Sequence, residues 1–72
     1  MSTHPTTPKR FKNWLEKRAL PPELEALGLH YWMALNVLAL NKSNPDIGAI
    51  LKREQKHIDA WTAAWAKHQS VA

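Results

Sequence analysis

A chain with no cysteine and four tryptophans in 72 residues can hold a fold in only one way, by apolar packing around large rings. No disulfide can staple it, and no thiolate is available to hold zinc. A domain of this length sits near the limit at which one core suffices. Trp14, Trp32, Trp61 and Trp65 each offer a large area to bury, which compensates for the small size. Helical phase turns Trp32, Trp61 and Trp65 inward and leaves Trp14 open between core and surface.

The punctuation of the chain predicts helices throughout. Residues 1–7 offer nothing apolar beyond Met1 and are expected to form a disordered tail. Thr7 caps a first helix with Pro8 at its first position, and Phe11, Trp14 and Leu15 give it a narrow packing stripe. Leu20-Pro21-Pro22 ends that helix, predicted over 8–19, because a residue before proline avoids the helical region. Pro22, Glu23 and Glu25 read as a short turn over 22–27 that Gly28 interrupts. A helix over 29–40, apolar nearly all round, reads as the central buried one. Asn41 suits a left-handed C-cap beyond it.

Past Asn41, two short helices are expected around a tight polar break. Asn44 is a good N-cap, Pro45 suits the first helical position, and Asp46 sets a negative charge against the positive helix end. Ile47, Ile50 and Leu51 then share a face over 45–52. Lys52 and Arg53 interrupt the pattern, which resumes at Ile58, Trp61, Thr62 and Trp65 in a helix over 55–67. Residues 69–72 are read as a disordered end. The expected core contains Leu35, Leu38, Ile47, Leu51, Ile58, Trp61 and Trp65. No strand pattern or internal repeat occurs, so the fold class is all-α: one small helical domain over 8–68, containing a helix-turn-helix-like unit.

The net charge of +4 is concentrated in one place. Lys9, Arg10, Lys12, Lys17 and Arg18 stand against Glu16 alone, whereas the rest of the chain balances five cations with five carboxylates. Such a cluster suits phosphate or an acidic protein surface, and equally a solvated helix face. The N-terminus lacks the apolar run of a signal peptide, and Tyr31–Leu40 is too short for the roughly 20 residues of a membrane span. A cytoplasmic location, in a bacterium or an infected host cell, is the expectation.

Leu38-Ala39-Leu40-Asn41-Lys42-Ser43-Asn44-Pro45-Asp46-Ile47-Gly48 resembles the LuxR-type helix-turn-helix, whose members often read L-A-x-G-x-S-N-x-E-I-A. Leu51 resembles the leucine that closes the second helix of that family, and Ile58 the branched residue anchoring its recognition helix. The resemblance spans about Leu27 to Trp65. It implies a small transcription regulator whose last helix enters the major groove of DNA, with Gly48 permitting close helix packing. Arg53, Glu54, His57 and Asp59 depart from the pattern, and Asp59 would repel phosphates. On this reading Gln55 pairs with adenine, Lys56 meets guanine or phosphate, and Lys42, Lys52 and Arg53 clamp the backbone, with Lys67 on the same outward face.

Chemistry beyond binding finds little footing. His57 and Glu54 lack a nucleophile or second carboxylate, so no enzyme is expected. His30, His57 and His68 lack metal-ligand spacing, with His57 and His68 roughly 16 Å apart along one helix. His30 suits a core or boundary position. No metal or cofactor is expected.

The alternative class is a protein-binding regulator. It would dock through Lys9, Arg10, Lys12, Lys17 and Arg18, with Trp14 as anchor, onto an acidic surface such as that of bacterial RNA polymerase. Small bacteriophage proteins that inhibit or redirect that enzyme are similar in size and basicity, a likeness of type only. A coiled or swapped dimer finds no sustained heptad to support it.

Overall fold

The computed structural model describes residues 4–70, and the fold is all-α. Three helices follow one another: α1 (Pro8–Arg18), α2 (Pro22–Leu40) and α3 (Ile47–Ser70). α2 is the spine. α1 packs along one side of it and α3 along another, while no Cα of α1 lies within 8 Å of one of α3.

Rings fill the space between α1 and α3. Phe11 and Leu15 from α1, Leu24 and Tyr31 from α2, and Trp61 and Trp65 from α3 form the buried cluster. Phe11 meets Tyr31 edge-on at 4.9 Å and Trp61 at 5.4 Å between ring centroids, and Trp61 stacks on Trp65 at 5.6 Å. Edge-to-face rings add roughly 0.5–1.5 kcal/mol per pair beyond the area they bury. Among the described residues no buried side-chain polar atom lacks a partner.

The segment expected as a loose tail closes this cluster. His4 lies among Phe11, Trp14, Tyr31, Trp61 and Trp65, with centroids 5.4 to 6.5 Å away. Its Nε2 accepts the indole N–H of Trp61 at 3.1 Å. Residues 1–3 of the expected tail lie outside the described residues. At the other end Gln69 and Ser70 continue α3 instead of fraying, and residues 71–72 lie outside the described residues.

The two expected short helices are one. α3 runs unbroken from Ile47 to Ser70, so the tight break near residues 52–55 is not formed. The reason is local. Lys52-Arg53-Glu54-Gln55-Lys56 is a run of strong helix formers, and no glycine or proline follows Gly48 before Ser70. The inward stripe also continues across it, at 47, 51, 54, 58, 61 and 65, with half-buried Glu54 occupying one position of an otherwise apolar seam.

Gly28 likewise interrupts nothing. The expected turn over 22–27 and helix over 29–40 are both parts of α2. A Cβ on Gly28 would stand 2.7 Å from Leu15 Cδ1 and 3.3 Å from Trp61 Cζ3, so this bare backbone is where all three helices converge. Gly48, expected to permit close packing, meets nothing within 4 Å.

The ends of the helices follow the sequence in part. α1 starts at Pro8, with Thr7 extended and its carbonyl accepting from the Phe11 amide at 2.8 Å, though the Thr7 side chain caps nothing. The left-handed residue is Ala19 at φ 51°, closing α1, whereas Asn41 has φ −111°. Asn41 instead ties the end of α2 to the turn through its side chain. Its Nδ2 donates to the Val37 carbonyl at 2.8 Å, and its Oδ1 accepts from Asn44 Nδ2 at 3.2 Å. Asn44 Oδ1 in turn accepts the Asp46 amide at 2.9 Å, a bond within the turn, because Pro45 and Asp46 are not helical and α3 begins at Ile47 instead of at 45.

Trp61 and Trp65 are buried as expected, and Leu35, Leu38, Ile47 and Ile58 are half-buried. Leu51 is not core: 42% of it is exposed. α1 reaches only the half of the α2–α3 hairpin that holds Trp61 and Trp65, and nothing covers the seam at the level of Leu51.

Candidate basic-helix interface

The cations of α1 divide by what they touch. Lys12 pairs with Glu16 at 3.6 Å and lies 4.3 Å over the Trp32 ring. The Arg18 guanidinium sits 5.2 Å from the Trp14 ring and 5.6 Å from that of Trp65. Both are thus committed to holding α1 on the aromatic cluster, as cations over ring faces are. Lys9, Arg10 and Lys17 are exposed, and no ion pair holds them among the described residues. Spacing of 9, 13 and 17 places Lys9, Asn13 and Lys17 in one row on the solvent side of α1, with Arg10 beside it.

A cleft of about 380 Å³ lies at the bottom of the α2–α3 pair, and one of about 450 Å³ adjoins the row of α1 cations. The second is lined by Pro8, Lys9, Lys12, Asn13, Trp32 and Asn36, between the start of α1 and the later turns of α2. Trp32 gives it an apolar wall and two lysines its rim. Trp32, expected in the core, is half-buried and packs at its edge, with Lys12 of α1 over its ring. Trp14, read as a possible anchor, is half-buried and lies 5.1 Å from Trp65 and 5.5 Å from Phe11.

The residues assigned to DNA contact lie along one continuous helix and the turn before it. Lys42 is in the turn, and Lys52, Arg53, Gln55, Lys56 and Lys67 are exposed on α3. Gln55 donates to Asp59 Oδ1 at 2.9 Å, and Arg53 bonds Glu54 at 3.3 Å, so two of the six are occupied by neighbouring carboxylates. Without a turn, α3 has no separate recognition helix to tilt away from a supporting one.

No family model matches the chain, and no curated protein or solved structure is similar to it.

His30 and His57, far apart in sequence, are brought ring to ring at 5.6 Å across the α2–α3 seam, with His30 exposed rather than in the core. The described residues hold no group of three or more potential metal ligands, and no described helix is long and apolar enough to cross a membrane. Burial raises the Tyr31 hydroxyl above its usual value of 10.0 by desolvation, which keeps it neutral in the cluster.

Proposed function

We propose that this chain is a small regulatory binding module that docks through α1 and its adjoining cleft onto an acidic surface of a larger protein. One observation carries the reading. Lys9 and Lys12 line a cleft walled by Trp32, and Arg10 and Lys17 lie exposed on the same helix, which pairs long-range attraction with a pocket for an apolar side chain. Charge of this kind speeds encounter, and a filled pocket slows departure. A surface of the bacterial RNA polymerase type is a partner of that chemistry, and a regulator of transcription is the role that would follow.

Duplex DNA is the second reading, supported by Lys42, Lys52, Lys56 and Lys67, which are exposed and free of ion pairs among the described residues. It would engage α3 as a straight basic helix along phosphates, without base reading by a tilted second helix. The test sets purified bacterial RNA polymerase beside random duplex DNA, at rising salt. The first reading expects polymerase binding that Lys9→Glu/Arg10→Glu/Lys17→Glu weakens. Binding to duplex DNA alone, weakened by Lys52→Ala/Lys56→Ala, would replace it by the second.

A further inference from the structure

A helix that is apolar on every side needs neighbours on every side. α2 has two. From Ala26 to Leu40 it carries no lysine, arginine, aspartate or glutamate, yet α1 and α3 leave Ala26, Met33 and Leu40 on one side of it exposed. On that side Met33 is 57% and Leu40 85% exposed, the two most exposed of the large apolar side chains. They belong to a row at 26, 29, 33, 36 and 40, which repeats at the alternating 3 and 4 spacing of a helix-pair seam. Ala26 is exposed, and Leu29 and Asn36 are half-buried along it. The Asn36 amide is already satisfied, donating to the Trp32 carbonyl at 3.0 Å, so the row presents little that demands water.

The two ends of the row are complementary when one copy is reversed against another. Met33 stands seven residues after Ala26 and seven before Leu40. Two copies of α2 laid antiparallel about a two-fold axis at Met33 therefore set each large Leu40 against the small Ala26 of its partner, and Leu29 against Val37. The charges beyond the row fall into register too. Glu23 and Glu25 lie at one end of it and Lys42 at the other, so each end of the pairing brings carboxylates beside a lysine.

We propose that the protein self-associates as an antiparallel two-fold dimer through this side of α2, with Met33 on the axis and Glu23 and Glu25 of each copy beside Lys42 of the other. Asn36 belongs both to this row and to the α1 cleft, so the dimer borders that cleft, with Arg10 and Lys17 outside its lining.

Sedimentation of the full chain over a wide concentration range tests it. The wild type is expected to sediment as a dimer, and Met33→Glu as a monomer with unchanged helical circular dichroism, since that side chain is exposed within one copy. Lys42→Glu should weaken the dimer, and adding Glu23→Lys/Glu25→Lys should restore it. The absence of native cysteine gives a second readout: Met33→Cys should oxidise to a covalent dimer faster than Asn13→Cys on α1. A wild type that stays monomeric at all concentrations overturns the proposal. A dimer that survives Met33→Glu, or cross-links equally well through Asn13→Cys, overturns it as well, because the contact then lies elsewhere.

Discussion

The indole N–H of Trp61 donates to Nε2 of His4 at 3.1 Å, joining residues 57 positions apart and laying His4 across the gap between α1 and α3. Nδ1 of the same imidazole is 2.9 Å from the Pro5 carbonyl, so a neutral ring protonated at Nδ1 satisfies both partners. With His4 in place Trp61 is fully buried, so the imidazole both covers the indole N–H and accepts from it.

His4→Ala should therefore cost about 1–3 kcal/mol, the range for a buried donor left without its acceptor. His4→Phe keeps the ring contacts and removes only the acceptor, so it should fall between wild type and His4→Ala. Urea unfolding midpoints followed by tryptophan fluorescence measure both. An unchanged midpoint for His4→Ala would show that the segment does not pack on the cluster in solution.

The two glycines should respond to alanine with opposite signs. Gly48→Ala gains helix propensity in open space and should stabilise the fold by up to about 1 kcal/mol. Gly28→Ala drives a methyl into Leu15, itself buried among the three helices, and overpacking of this kind costs roughly 1–3 kcal/mol. Thermal midpoints of the two variants, one raised and one lowered, check the convergence of the helices at Gly28.

Tyr31 gives the fold an alkaline limit. Burial raises its folded-state pKa above 10.0, the value taken for the unfolded chain, so the folded state prefers the neutral phenol. Its contribution is full below pH 10 and is lost as pH rises through the raised value. Stability should thus decline above pH 10 more steeply in the wild type than in Tyr31→Phe. As Tyr31 is the sole tyrosine, tyrosinate absorbance reads its titration directly.

Gln55→Pro distinguishes one helix from two. At the first position of a separate helix over 55–67, proline would be favourable. Inside α3 it removes a hydrogen bond and clashes with the preceding turn, a cost of about 3 kcal/mol or more. We expect a large loss of helical circular dichroism and of thermal stability; a variant as stable as wild type would restore the break.

Much of this fold is legible in the residues because punctuation and phase are local. Pro8 and the Pro21-Pro22 pair mark helix boundaries wherever the chain goes, and the spacing of Trp61 and Trp65 turns both inward. What was illegible depends on distance. Whether Leu51 is covered depends on how far α1 reaches, and no local pattern states that. Lys52 and Arg53 read as a break because they are charged, although the 47, 51, 54, 58, 61 and 65 spacing carried the signal of continuity. Gly28 looked like an interruption because the neighbours that require it, Leu15 and Trp61, come from other helices. His4 gave no local signal at all. The basic character of α1 was plain in composition, but its division into cations spent on Trp14, Trp32 and Trp65 and cations left free emerged only from packing.

The most direct test of the proposed binding face is the association rate with purified bacterial RNA polymerase, measured at rising salt for wild type and for Lys9→Glu/Arg10→Glu/Lys17→Glu. These side chains are exposed, so the variant should retain wild-type circular dichroism and thermal midpoint. We expect the wild type to associate fast at low salt and to slow as salt screens the attraction. The variant should associate at least about tenfold more slowly, with little salt dependence left. A charge-reversed helix that associates like wild type, or a wild type that does not bind the polymerase at all, would contradict docking through α1 onto that enzyme.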